Sequence, residues 1–78
     1  MLTSAIEGHY EAALEEYGKA IELDPNHPVY YSNAANCCMR LGHFEQAVQM
    51  ADEAIRLNPA MTKAYYHRGL SYQALKMH

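Results

Sequence analysis

The chain has 78 residues, of which 50% are hydrophobic and 19% charged, and its formal net charge is −3. This length allows one small domain, and the composition is typical of a globular chain and not of a disordered one. The slight negative charge does not favour nucleic acid or an anionic membrane as a partner, and neither a membrane-spanning apolar run nor a signal peptide is recognisable.

Four full-length helices are predicted, in chain order, between residues that terminate helices. Residues 1–7 precede them as the remainder of a shortened helix. Residues 10–23 and 44–57 place apolar side chains three and four positions apart, which gives one apolar stripe on each helix. Residues 28–41 and 62–75 are predicted to form two further helices, which alternate with these two along the chain.

Turn-forming residues mark the ends of these helices. Proline disfavours helix at the residue before it, and Asp or Asn suits a turn. Gly42 follows Leu41 where a left-handed C-cap is expected, and Gly8 is expected to do the same. Thr62 is expected to be an N-cap. The stop signals are Asp24 with Pro25 and Asn58 with Pro59, and Pro28 occupies a first turn.

The sequence repeats itself with a period of 34 residues. Eight of the twenty positions from 8 to 27 are identical to the residue 34 places later, which indicates a stack of similar helix pairs. Small side chains at matching positions let helix axes approach to about 8–10 Å. These small residues include Ala13 with Ala47 and Ala20 with Ala54, and the aromatic residues predicted to fill the gaps between pairs are Tyr10, Tyr31, Phe44 and Tyr65.

The two cysteines, Cys37 and Cys38, are adjacent in the sequence. Neighbouring side chains on a helix point about 100° apart, so these two are poor disulfide partners. We expect reduced, packed thiols, as in a cytoplasmic protein.

This pattern resembles the tetratricopeptide repeat. In that family a glycine and an aromatic residue open a helix, small residues follow, and Asp-Pro or Asn-Pro ends it; residues 8–25 and 42–59 carry the pattern. The resemblance implies an all-α solenoid of antiparallel helix pairs in a single domain. Its expected parts are a partial repeat over residues 1–27, a complete repeat over 28–61, and over 62–78 the first helix of a further repeat, or a cap.

Stacked helix pairs form a superhelix whose concave face is lined by the first helix of each repeat. Lys63 and His67 are four residues apart and share a helix face. Asn33 and His67 are 34 residues apart and should occupy equivalent places. The residues predicted to face the groove and bind a peptide are Asn33, Asn36, Arg40, Lys63, His67 and Leu70.

Residues 30–33 and 62–65 resemble the co-chaperone branch of the family, which includes the small glutamine-rich co-chaperones, the Hsp-organising adaptor and the repeat-bearing serine/threonine phosphatase. In those relatives a two-carboxylate clamp binds the acidic C-terminal tail of heat-shock chaperones by charge-assisted hydrogen bonds. By this resemblance Asn33 and Lys63 match clamp residues. His67 stands where an arginine is usual, and Leu2 stands where another asparagine is usual.

The resemblance therefore implies a clamp with two of its five residues and a weak histidine substitute. The fifth position would lie before Met1, and Arg68, one place beyond His67, is expected to point elsewhere. A histidine carries a charge only near or below about pH 6.5. We expect tail binding by this chain to be weakened or lost.

No enzyme is predicted, because the sequence has no glycine-rich phosphate loop and no nucleophile beside a base at a motif spacing. The five histidines are scattered, so neither a metal nor another cofactor is expected. An alternative to the peptide scaffold remains open: a homo-oligomer that assembles by helix exchange or end-to-end contact through residues 62–78 or 1–14, with an empty groove. Self-association is expected because such arrays need about three repeats for stability.

Overall fold

The computed structural model describes residues 9–76, which form four α-helices. They are α1 (Tyr10–Leu23), α2 (Pro28–Arg40), α3 (Phe44–Leu57) and α4 (Thr62–Lys76). These bounds confirm the four predicted helices to within one residue. The predicted helix remainder over residues 1–7 and the predicted cap at Gly8 lie outside the described residues. Within residues 9–76, no helix is both long enough and apolar enough to cross a membrane.

The helices stack as a curved row of antiparallel pairs. Each connection has only three or four residues, too few to run back along a helix about 20 Å long, so consecutive helices are antiparallel. Each helix packs on the next, and α2 also packs on α4. No comparable contact joins α1 to α3 within the described part of the chain. The row is therefore narrower on the side of α2 and α4, which form its inner face.

The turn between α2 and α3 confirms the predicted glycine C-cap. Gly42 has a φ of +83°, in the left-handed region. Its N–H donates to the carbonyl of Met39 at 3.1 Å, and the N–H of His43 donates to the carbonyl of Cys38 at 2.8 Å. This is the Schellman arrangement, which satisfies the last free carbonyls of α2.

The two predicted stop signals have the same geometry. The N–H groups of Asp24 and Asn58 donate to the carbonyls of Ala20 and Ala54, each at 2.9 Å. The carbonyl of the proline that follows each of them accepts a hydrogen bond from the next helix. The Tyr31 hydroxyl donates to Pro25 O at 2.8 Å, and the Tyr65 hydroxyl donates to Pro59 O at 2.9 Å. The 34-residue period is thus a period of the structure as well as of the sequence.

The start of α4 differs from the prediction for Thr62. The helix begins at Thr62, so this residue is the first helical position and not the cap. The carbonyl of Met61 already accepts the N–H of Ala64 at 3.1 Å. The helix therefore begins one residue earlier than it would if Thr62 were the N-cap.

Small side chains fill the helix contacts. Ala13 and Ala47, which the repeat predicts to be equivalent, are 1% and 0% exposed. Around Tyr31, the small residues Ala35, Ala51, Ala54 and Ala64 form one buried cluster. This confirms that small residues at matching positions allow the helices to pack closely.

Both thiols are free and buried, as predicted. Burial raises the pKa of Cys37, and burial together with the neighbouring Cys37 raises the pKa of Cys38 to about 11. Both groups are therefore protonated near neutral pH and are poor nucleophiles.

The predicted role of Tyr65 in filling a gap between helix pairs is wrong for the described chain. Tyr31 is 9% exposed, whereas Tyr65, its equivalent, is 43% exposed. Both make the same hydrogen bond, but α3 and α4 cover Tyr31, and within residues 9–76 no helix follows α4 to cover Tyr65. Tyr10 and Phe44 are partly buried.

Candidate functional site

All six residues predicted to line the groove lie on α2 and α4, the two helices of the inner face. The side chains of Arg40 and Lys63 are exposed. The other four are partly buried, namely Asn33, Asn36, His67 and Leu70. The two helices of the inner face thus carry cations and amides although the chain as a whole is acidic.

Asn33 and Lys63 meet at one cavity. It lies where α2 and α4 begin and has a volume of about 340 Å³. Asn58, Ala60 and Met61, in the connection from α3 to α4, form a further part of its wall. This connection is fixed locally, because Asn58 Oδ1 accepts the N–H of Ala60 at 3.1 Å. The other four predicted residues do not line this cavity.

Asn33 of α2 also lies near Tyr17 of α1. Burial raises the pKa of the Tyr17 hydroxyl on α1, Cys37 and Glu16 raise it further, and a hydrogen bond from Asn33 opposes them. The Asn33 amide has two N–H donors, so one can serve Tyr17 while the other remains for a ligand. A structural role and a binding role for Asn33 are therefore compatible.

His67 is influenced by two cations. Burial lowers its pKa, and the charges of Lys63 and Arg40 lower it further. Its Nδ1 atom is enclosed and has no hydrogen-bond partner among residues 9–76. The ring of Tyr66, which is 64% exposed, lies edge-on to the imidazole at a centroid distance of 5.8 Å. His67 is consequently neutral at pH 7 and adds no charge to the inner face there.

Arg68, one place beyond His67, contacts α3 and Tyr65. Its Nη1 donates to Asp52 Oδ1 on α3 at 2.8 Å. Its guanidinium carbon lies 5.3 Å from the centroid of the Tyr65 ring. Arg68 therefore joins α4 to α3, as expected from its place one residue beyond His67.

Sequence reasoning missed Ser32 and Met61, which also line the cavity. Ser32 precedes Asn33, so its side chain leaves the helix about 100° away from that of Asn33. It reaches the same cavity because the chain before α4 folds against this side of α2. Nothing in the repeat pattern signals this contact. Among the described residues, no group of three His, Cys, Asp or Glu side chains is placed to hold a metal ion.

The chain is similar to proteins of known family. A model of the tetratricopeptide repeat family matches residues 5–71. Small glutamine-rich tetratricopeptide repeat-containing protein 2 of Mycosarcoma maydis is 47% identical over 60 residues, which is 77% of this chain and 17% of that protein. Hsp70-Hsp90 organizing protein 3 of Arabidopsis thaliana is 36% identical over 63 residues, which is 81% of this chain and 11% of that protein.

A solved structure has nearly the same fold. The first TPR of Spaghetti (RPAP3), bound to the HSP90 peptide SRMEEVD, matches with a TM-score of 0.93 and 35% sequence identity. The match covers 96% of this chain and 60% of that chain. The present chain thus spans between 11% and 17% of the two curated relatives and somewhat more than half of the solved one.

Proposed function

The chain belongs to the tetratricopeptide repeat family, and on that premise we propose that it is a non-catalytic scaffold whose inner face binds an extended peptide. The peptide class is one that ends in acidic residues, such as the C-terminal tail of a heat-shock chaperone. Its C-terminal carboxylates are held by charge-assisted hydrogen bonds, which are stronger than bonds between neutral groups.

One observation carries this proposal: Asn33 and Lys63, which lie on different helices, meet at a single cavity on the inner face. An amide donor and an ammonium donor facing the same space suit a carboxylate. The solved relative with the acidic peptide SRMEEVD supports the same class of ligand.

The clamp of this chain is incomplete, so the interaction is weaker than that of a full clamp. Where the family has an arginine, which is always charged, His67 supplies a neutral imidazole at pH 7. Leu2, at the place of a further clamp asparagine, lies outside the described residues.

A calorimetric titration with the peptide SRMEEVD at pH 7.5 tests the function. We expect saturable binding by the free acid and at least about tenfold weaker binding by the same peptide with an amidated C-terminus, because the amide removes one charge and one acceptor. Equal affinity for the two peptides would exclude recognition of the terminal main-chain carboxylate, and binding of neither peptide would exclude a carboxylate-binding groove.

The same titration at pH 5.5 checks the contribution of His67. As the pH falls through the lowered pKa of His67, the imidazole gains a charge that attracts a carboxylate, so affinity for SRMEEVD rises. The peptide carboxylates remain mostly ionised at this pH. The His67→Asn variant, which copies Asn33 at the equivalent place, is expected to show no such rise. An identical rise in this variant would assign the pH effect to another group.

A second function, self-assembly, is favoured by the outer face of α4. Tyr65 and Tyr72 are 43% and 52% exposed there, whereas Tyr31 and Cys38, their equivalents on α2, are 9% and 0% exposed. Tyr65 thus lies exposed at the position where, on α2, residues of α3 and α4 pack against Tyr31. We propose that a helix of a second copy of this chain, with small residues like those of α3, covers it.

Sedimentation equilibrium of the wild type and of Tyr72→Glu tests this assembly. We expect the wild type to form dimers or larger species with rising concentration. The variant should remain monomeric, because a charge would then be buried in the contact. Tyr66→Glu, at a residue that is 64% exposed, is the matched control and should behave as the wild type. A wild type that is monomeric at all concentrations would remove this second function.

A further inference from the structure

One face of α1 is more exposed than the same face of α3. Leu23 is 88% exposed, whereas Leu57, the residue 34 places later, is partly buried and packs on the cluster around Tyr31. Ala20 is only partly buried, whereas Ala54, its equivalent, is completely buried in that cluster. In α3 this face thus packs beside Tyr31 of α2. In α1 the corresponding face is open to another helix.

The exposed face of α4 is the counterpart of this one. Tyr65 is largely exposed at the place of the buried Tyr31. Gly69 is at the place of Ala35, which is completely buried. A side-chain carbon added to Gly69 would meet no atom within 4 Å beyond its own helix backbone. Since Tyr31 and Ala35 of α2 share a cluster with Ala54 of α3, α1 carries one side of that contact and α4 carries the other.

The charges of the two helices favour a contact of α1 with α4. α1 carries four carboxylates and one lysine, so its net charge is −3. α4 carries two lysines, one arginine and no carboxylate, so its net charge is +3 with His67 neutral. A contact between two α4 helices, or between two α1 helices, would bring charges of the same sign together, which is unfavourable. Electrostatic complementarity therefore selects α1 of a second copy as the helix that covers α4.

We propose that α1 of one copy packs on α4 of the next copy in the way that α3 packs on α2 within the chain. Leu23 then contacts Tyr65 of the neighbouring copy, and Ala20 packs close to Gly69. Each joint is heterologous, because different surfaces of two identical chains meet, and it continues the superhelix, so the row of copies is open-ended. This inference rests on the self-assembly proposed above and names the surfaces that form its contact.

The repeat also predicts an ion pair at the joint. Glu22 on α1 is the equivalent of Arg56 on α3, which lies close enough to the Tyr31 hydroxyl to interact with it electrostatically. Glu22 therefore comes to lie beside Tyr65 of the neighbouring copy. The guanidinium carbon of Arg68 lies 5.3 Å from the centroid of that tyrosine ring, within reach of the incoming carboxylate. Because these charges are near the surface, added salt weakens the association.

Two variants that each block one face test this contact. Leu23→Glu and Tyr72→Glu change side chains that are more than half exposed, so both variants fold, but each would bury a charge in the joint. By sedimentation equilibrium, each alone is expected to associate at least about tenfold more weakly than the wild type. Mixed in equal amounts, the two variants form a heterodimer and nothing larger, because each keeps the face that the other has lost.

Ala12→Glu is the matched control for a charge added to α1. Gln46, its equivalent on α3, is exposed although α3 packs between α2 and α4. Position 12 should therefore lie outside the joint, and Ala12→Glu is expected to associate like the wild type. A loss of association in this control as large as that in Leu23→Glu would assign the effect to net charge and overturn the inference.

Other results separate this inference from the proposed self-assembly. Association of Leu23→Glu like the wild type would overturn the head-to-tail contact and leave self-assembly through α4 intact. An equal mixture of the two variants that stays monomeric would overturn it as well, and so would wild-type association that is not weakened in about 0.5 M NaCl. A wild type that is monomeric at all concentrations would overturn the proposed self-assembly and this inference together.

Discussion

Replacing Tyr31 with alanine is expected to destabilise this protein strongly, whereas the same replacement at Tyr65 has a small effect. Tyr31 is 9% exposed and is the largest member of the buried cluster that joins α2 to α3 and α4. Truncation of a buried aromatic side chain to alanine costs about 3–5 kcal/mol. A chain of this size has a free energy of unfolding of about 4–12 kcal/mol. Tyr31→Ala therefore melts more than about 10 °C below the wild type, or is unfolded.

Tyr65 provides an internal control because its local bonds are the same. It donates to Pro59 O as Tyr31 donates to Pro25 O, but it is 43% exposed. Tyr65→Ala should cost about 1 kcal/mol, mainly through the hydroxyl bond and the contact with Arg68. Urea unfolding of both variants measures the difference, and Tyr31→Phe separates the hydroxyl from the ring. Equal losses at the two positions would mean that the contribution of a tyrosine to the stability of the protein depends on its position in the repeat and not on its burial.

The comparison of these two tyrosines shows which features of the fold follow from the sequence. The stop signals, the glycine at position 42 and the alanine pattern act through local conformation and side-chain size, so they predict four helices to within one residue. The burial of an aromatic residue depends on the helices that come to lie over it. Tyr31 and Tyr65 have the same place in the repeat and differ in exposure because, among residues 9–76, α3 and α4 pack over Tyr31 and no helix follows α4 to cover Tyr65.

The candidate site divides in the same way. Asn33 and Lys63 could be named from the resemblance because they lie at fixed positions of the repeat. The free hydroxyl of Ser32 and the proximity of Asn33 to Tyr17 could not be predicted, since they depend on which side chains of neighbouring helices come together. The neutral state of His67 at pH 7 likewise arises from burial and from two cations on the inner face.

Reversing the charge of Lys63 is expected to have the largest effect on binding. In Lys63→Glu, one of the cavity's donors becomes an anion that repels the peptide carboxylates. We expect affinity for SRMEEVD at pH 7.5 and low salt to fall by at least tenfold and up to a hundredfold, which corresponds to about 1.4–2.8 kcal/mol. The loss should shrink as salt is added, because Lys63 is exposed and its interactions are screened.

The position of Lys63 in its helix separates this effect from unfolding. Lys63 lies in the first turn of α4, where the positive end of the helix dipole disfavours a cation. Replacement by glutamate removes that conflict and should stabilise the free protein by about 0.3–1 kcal/mol. Binding and stability are therefore expected to change in opposite directions, a combination that a structural role for Lys63 does not produce.

Lys76→Glu makes the same change of net charge in the last turn of α4, about 20 Å away. If this control weakened binding as much as Lys63→Glu, the loss of affinity would be an effect of net charge. The cavity lined by Asn33 and Lys63 would then have no specific role in peptide binding.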